Sequence, residues 1–218
     1  MKSVLVIGMG KFGKFLATKL QELDNDVMVI DKDEAIIEDI ASRFANAQIG
    51  DCTNPDVLRA LGVDEFDVCF VAFDENFQSS LEITSLLSEM GAKKIVSMAS
   101  RETQAKFLLQ VGASEVVYPE KDIAETLAVK YSSSNIFDYF PLTDEYSIVE
   151  IPILPEWTGK TIAKVDVRKN HNLNILAIKN NGELLPSPNP DYCFLPDDHI
   201  IVLGNQNEVL AIASKTEK

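Results

Sequence analysis

Val4-Leu5-Val6-Ile7-Gly8-Met9-Gly10-Lys11-Phe12-Gly13 runs a short apolar strand straight into three glycines, and Asp31 ends the next apolar run, Val27-Met28-Val29-Ile30. Each part of this pattern has a physical job. Gly8 permits the tight turn, Gly10 lets a pyrophosphate approach the backbone, and Gly13 lets the following helix pack on the strand. The helix start offers unpaired N–H groups and partial positive charge to phosphates. Asp31 stands where a carboxylate accepts from ribose hydroxyls, with Lys32 and Asp33 just beyond it. The combination predicts a nucleotide-binding unit of Rossmann type.

The same alternation continues to residue 118. Strand-like runs at Ser3–Ile7, 27–30, 47–49, 67–72, 94–98 and 115–118 lack polar alternation, as parallel strands buried on both faces do. Helical stretches lie between them at 12–23, 34–44, 55–61, 77–90 and 102–111, with Gly91 and Gly112 as stops. Six such repeats give an α/β doubly wound parallel sheet of expected order 3-2-1-4-5-6. Pro119 then opens a helix over 120–132. Ser132-Ser133-Ser134-Asn135 breaks it, and Ile136–Pro141 reads as an aromatic-rich connector. From Tyr146 a small α+β module is expected, with strands near 148–153, 173–178, 183–185 and 200–203 and helices near 161–164 and 205–213. The resulting division is 1–134 for the nucleotide-binding domain, 135–145 for a linker and 146–218 for the C-terminal domain.

Composition narrows the function. The chain has 218 residues, 46% of them apolar and 25% charged, within the ordinary globular range. No apolar run approaches the roughly 20 residues of a spanning helix, which makes a cytoplasmic location the expectation. The formal charge of −14 repels nucleic acid and anionic lipid. Cys52, Cys69 and Cys193 are scattered, which argues against a disulfide framework or a structural zinc site.

Further candidate residues follow from strand ends. Gly50-Asp51-Cys52-Thr53 ends the third strand beside the expected base and ribose. Asp51 and Thr53 either bind there or form an Asx-type turn and cap the helix at Pro55. Ala72-Phe73-Asp74 ends the fourth strand at the cofactor crevice. The two histidines, His171 and His199, read as surface residues of a polar loop and a turn. No GxSxG, HExxH or Walker sequence is present. A nucleotide site without visible catalytic machinery reads as a sensor. A small NAD(P)-dependent oxidoreductase and a free-standing nucleotide or cyclic-dinucleotide receptor stand as alternatives.

Taken together, Gly8–Gly13, Asp31, Gly50–Thr53, Pro119-Glu120-Lys121-Asp122 and Asp144–Glu150 resemble the RCK (regulator of K⁺ conductance) proteins, the cytosolic gating subunits of Trk/Ktr potassium-uptake systems. The resemblance covers essentially the whole chain. It implies a non-enzymatic regulatory subunit, a homodimer assembling into an octameric ring under a membrane-embedded KtrB/TrkH-like transporter, peripheral to the inner face of the membrane. It implies NAD(H) or ATP/ADP held by the glycine loop and Asp31, with Asp51 and Thr53 flanking the adenine. Lys11 matches a position where many such proteins carry an arginine that reaches the terminal phosphate of ATP; lysine keeps the charge without the bidentate fork. Glu120 matches a glutamate that helps bind Mg²⁺ or Ca²⁺ at the nucleotide dimer interface. Ile162, Arg168, Asn174, Ile175 and Pro190 match a cyclic di-AMP site of the C-terminal lobe.

Overall fold

The computed structural model describes residues 1–73 and 76–217. It separates into two compact units, Met1–Lys121 and Asp122–Lys218. In the first, β1 (Ser3–Ile7), β2 (Asp26–Asp31), β3 (Asn46–Ile49), β4 (Val68–Val71), β5 (Ile95–Met98) and β6 (Glu115–Val117) form one parallel sheet in the order β3-β2-β1-β4-β5-β6. Between them run α1 (Lys11–Glu22), α2 (Glu34–Ile40), α3 (Pro55–Leu61), α4 (Phe77–Glu89) and α5 (Glu102–Gln110). The unbroken apolar reading of β1 has a direct cause. Val4 and Val6 pack with Ala17 of α1 and Ile37 of α2, while Leu5 and Ile7 pack with Leu58 of α3 and Ile83 and Leu87 of α4. Successive side chains point to opposite faces, so a strand covered on both sides has no polar position.

Beyond α6 (Pro119–Tyr131), the second unit is a five-stranded antiparallel sheet ordered β10-β9-β11-β8-β7. Its strands are β7 (Asp138–Pro141), β8 (Tyr146–Pro152), β9 (Asn174–Asn180), β10 (Glu183–Pro186) and β11 (His199–Asn205). Three helices accompany them: α7 (Ile162–Val165), α8 (Val167–His171) and α9 (Gln206–Ala213). The core gathers Val149, Ile151, Trp157, Phe194, Ile200, Val202, Val209 and Ile212.

Three expectations are corrected here. Residues 135–145 are no linker, because they contain β7, which pairs with β8 from Asp138↔Glu150 to Pro141↔Ser147. Ile136 is buried in the second core and Tyr139 packs against it. The division falls after Lys121 and not at 134, since Val129 of α6 also packs on that core. Arg168–Asn172 is mostly helix where a polar loop is expected. Asp166 accepts from the Lys169 N–H at its start, Asn172 takes a left-handed φ of 55° at its end, and Val167 is buried between them.

One charged cluster ties three strands of this sheet. Glu150 is buried on β8; its carboxylate accepts from Lys179 Nζ of β9 at 2.8 Å and pairs with His199 Nδ1 of β11 at 2.9 Å. Burial pushes the Glu150 carboxyl up, but the hydrogen bonds and charges of Lys179 and His199 outweigh it and hold it below the usual glutamate range. A carboxylate whose folded pKa is depressed gives stability that is present above the unfolded value and lost as pH falls through the folded one. Wild type should therefore melt above Glu150→Gln at neutral pH. The gap should close as the pH drops below about 4.3, the unfolded glutamate value. A gap that does not change with pH in parallel melting curves would remove this pair from the stability of the sheet.

Candidate functional site

The glycine turn is built from three different steric demands. Gly8 adopts φ +93°, in the left-handed region, and a Cβ there would lie 3.0 Å from the Ala72 carbonyl oxygen and 3.2 Å from the Phe73 ring. At Gly13 a Cβ would fall 2.0 Å from the Gly8 carbonyl oxygen, so only glycine lets α1 lie against the end of β1. Gly10 is different. Its φ of −64° suits any residue and a Cβ would meet nothing within 4 Å. Neither backbone nor packing requires glycine at position 10, which leaves open room in front of the helix. The N-cap, Gly10, has no side chain with which to cap α1, so among the described residues no N-cap side chain competes with an anion for the N–H groups of the first turn.

Asp31 locks this turn to β2. It is buried, its Oδ2 accepts from the Met9 N–H at 2.6 Å, and its Oδ1 accepts from the Asp33 N–H at 3.0 Å. Each oxygen keeps a lone pair for a further donor. Beside it opens a cleft of about 80 Å³, lined by Ile7, Asp31, Lys32, Gly50, Asp51, Cys52, Thr53, Phe73, Asn76, Ser79 and Ile83. The cleft combines an apolar floor with a few polar groups, the pairing that small-molecule sites use.

Asp51 and Thr53 form the Asx-type turn and still face the cleft. Asp51 Oδ1 accepts from the Thr53 N–H at 3.0 Å and from Thr53 Oγ1 at 2.7 Å. The hydroxyl bond, then the backbone bond, pulls the Asp51 pKa down, with the Lys32 charge adding to it. Neither residue caps α3; Asn54 does, accepting from the Asp56 N–H. Cys52 is buried, and burial followed by the Asp51 and Asp31 charges pushes its thiol up to about 12, so it serves as apolar wall and not as a nucleophile.

The cleft thus gathers Asp31, Lys32, Asp51, Cys52, Thr53 and Phe73. Other expected residues adjoin it or serve the fold. Lys11 is the exposed first residue of α1, Phe12 packs partly buried with Val4 and Val6, and Ala72 is buried in the same cluster. Asp33 caps α2 by accepting from the Ala35 N–H at 3.0 Å. Asp74 lies outside the described residues. Sequence reasoning missed Asn76, Ser79 and Ile83, which come from the start of α4; the signal available was Asn76 as a cap directly after the fourth strand.

The remaining candidates fall elsewhere. Glu120 is exposed on the first turn of α6, near Met98, Ser100 and Tyr118. Among the described residues no group of three or more His, Cys, Asp or Glu side chains converges as a metal site. In the second unit a cleft of about 240 Å³ brings together Ile162, Arg168, Asn174 and Ile175 with Ala163 and Pro188. Pro190 does not line it but holds its wall, accepting from the Ala163 N–H at 2.9 Å. Both histidines have structural partners. His171 lies against Trp157 with centroids 5.4 Å apart, and His199 bonds Glu150 and packs tilted against Phe137 with centroids 4.2 Å apart.

Comparison with known proteins agrees with this architecture. The TrkA-N domain matches residues 4–119 and the TrkA-C domain residues 147–216. The chain is 36% identical to the Ktr system potassium uptake protein C of Bacillus subtilis, over 95% of this chain and 94% of that protein. It is 32% identical, with the same coverage, to the Ktr system potassium uptake protein A of that organism. Among solved structures, a GsuK channel bound to NAD superposes with a TM-score of 0.70 at 16% identity, over 100% of this chain and 40% of that one.

Proposed function

The chain belongs to the family built from TrkA-N and TrkA-C domains, and from that premise we propose that it is the nucleotide-sensing regulatory subunit of a Trk/Ktr-type potassium transporter. The observation that carries this reading is the Asp31 carboxylate, held by the glycine turn at the mouth of a cleft whose phosphate end is open at Gly10. Adenine nucleotides fit this arrangement: pyrophosphate in front of α1, ribose on Asp31, base toward Asp51, Thr53 and Phe73. NAD(H) and ATP or ADP are the ligands to test, and the NAD-bound GsuK channel of like fold supports a dinucleotide.

The protein works without catalysis in this reading, since both histidines are engaged with Trp157 or Glu150 in the second unit. Two nucleotides regulate only if they bind two conformations with different affinity. Lys11 at the first position of α1 is the cation available to sense a terminal phosphate. The partner is the membrane-embedded transporter subunit of the KtrB/TrkH kind, reached from the cytoplasm by a homo-oligomer, a dimer assembling into an octameric ring. Among the described residues no helix is long and apolar enough to cross a membrane. Glu120 offers a single carboxylate, so Mg²⁺ or Ca²⁺ there takes its remaining ligands from phosphate and a second copy.

The second-unit cleft suits cyclic di-AMP: the Arg168 guanidinium for phosphate, the Asn174 amide for a base edge, and Ile162 and Ile175 as aliphatic cover.

Two substitutions separate binding from folding. Gly10→Val should retain the melting temperature, because a Cβ there meets no protein atom within 4 Å, while weakening ADP or NADH binding at least tenfold, about 1.4 kcal/mol. Gly13→Ala should destabilise the fold by about 1–3 kcal/mol through overpacking against Gly8. Unchanged nucleotide affinity of Gly10→Val in calorimetry would remove the central reading. For the second cleft, Arg168→Ala in the full chain should weaken cyclic di-AMP by about 1.5–3 kcal/mol, the worth of a hydrogen bond to a charged group. Wild type should bind one ligand per two chains; no binding, or equal binding by the variant, would return Arg168 to the surface.

A further inference from the structure

Asn76 carries a feature that capping alone leaves unused. It is the N-cap of α4, and its Oδ1 accepts from the Ser79 N–H at 3.1 Å. A backbone N–H needs an acceptor, so the carbonyl oxygen of the amide must face it, and the amide nitrogen with its two N–H donors lies on the other side. Asn76 also lines the nucleotide cleft, on the far element from Asp51. Among the described residues Asn76 Nδ2 makes no hydrogen bond, and Asp51 bonds only through Oδ1, leaving Oδ2 to accept. The two Thr53 bonds that lower the Asp51 pKa keep that group an ionised acceptor at neutral pH. The cleft therefore presents one oriented donor and one oriented acceptor over an apolar floor of Ile7, Phe73 and Ile83.

We propose that Asn76 is a specificity-determining residue of the nucleotide site, donating its amide N–H to a ring nitrogen of adenine while Asp51 accepts from the exocyclic 6-amine. This rests on the nucleotide reading above and adds the base to it. Adenine carries an acceptor at N1 and a donor at the 6-position. Hypoxanthine and guanine invert both, with N1–H facing the Asn76 donor and a carbonyl oxygen facing the Asp51 carboxylate. A mismatched base would thus set donor against donor at Asn76 and acceptor against acceptor at Asp51, which is the repulsive half of specificity. The Ser79 hydroxyl acts as either donor or acceptor and imposes no such choice, while Thr53 gives its hydroxyl proton to Asp51 and can only accept.

The test separates reading the base from capping the helix. Asn76→Ser and Asn76→Asp both keep an N-cap oxygen, and serine and aspartate cap as well as asparagine; both lose the amide donor. ADP and IDP are titrated calorimetrically into wild type and both variants, with melting temperatures recorded without nucleotide. Wild type should bind ADP at least about tenfold more tightly than IDP, about 1.4 kcal/mol. Both variants should keep the wild-type melting temperature and lose ADP affinity several-fold. In Asn76→Asp the ratio should move toward IDP, because the new carboxylate accepts from the hypoxanthine N1–H and opposes adenine N1. Unchanged ADP affinity and ADP/IDP ratio in both variants would reduce Asn76 to a helix cap and leave the nucleotide reading intact. Failure of wild type to bind ADP, NADH or IDP would overturn both.

Discussion

The first unit depends on one close approach, the backbone of α1 at Gly13 against the carbonyl of Gly8, where a single added carbon would stand 2.0 Å away. That contact fixes where α1 begins relative to β1. It turns the Met9 N–H toward Asp31, and the bond at 2.6 Å draws the end of β2 to the same point. The Gly8 N–H continues the tie by donating to the Ile30 carbonyl at 2.9 Å. Helix start, first strand and second strand thus meet within one turn. The turn also ends in Gly10, an N-cap with no side chain to satisfy the first N–H groups of α1. The glycines of the turn are not all there for the same reason: Gly8 and Gly13 are demanded by the protein's own atoms, Gly10 by none of them.

The parallel sheet was legible because every strand of it bears a signal of burial or punctuation. β1 is apolar from Val4 to Ile7 and β5 is broken only by Ser97, and α3 shows proline at its start and Gly62 in the left-handed region at its end. What escaped reading lies where burial is one-sided or brief. β7 alternates Tyr139 inward with Phe140 61% exposed, and four residues with a terminal proline are too few to show a period. The five residues of α8 bury Val167 alone and owe their ends to Asp166 and Asn172, both at positive φ. The cleft residues on α4 escaped for another reason. They are brought to Asp51 by strand order, β4 lying beside β1 and β3 two strands away on the other side, and strand order carries no local residue pattern.

The two sheets also manage their polar groups differently. On the parallel sheet a neutral pair is buried: Thr84 and Ser97 share one hydroxyl bond of 2.8 Å between α4 and β5. The antiparallel sheet has two open edges, β10 and β7, and each ends in a residue without a donor, Pro186 and Pro141. A proline there shortens the row of N–H groups that another chain could pair with. Across the strands between those edges it places Glu150 with Lys179 and His199. An ion pair so placed adds little net stability over an apolar contact but penalises any register that separates its members.

Asp198 takes this further, because it is fully buried and its hydrogen-bond donors among the described residues are all neutral. Its carboxylate accepts from Asn180 Nδ2 at 2.6 Å, from the Tyr192 hydroxyl at 3.0 Å and from the Leu195 N–H at 2.7 Å. Those donors come from the end of β9 and from the segment before β11, so one side chain holds the Tyr192–Leu195 loop to the sheet. The loop in turn carries α7. Its Tyr192 carbonyl accepts from the Ile162 N–H at 3.0 Å, and the neighbouring Pro190 carbonyl accepts from the Ala163 N–H. Ile162 and Ala163 are walls of the cleft that contains Arg168 and Asn174. A buried carboxylate left short of donors is costly, so the loop cannot drift without exposing that cost. The geometry of the second cleft is thereby set by a residue that does not line it, as the geometry of the first is set at Gly13.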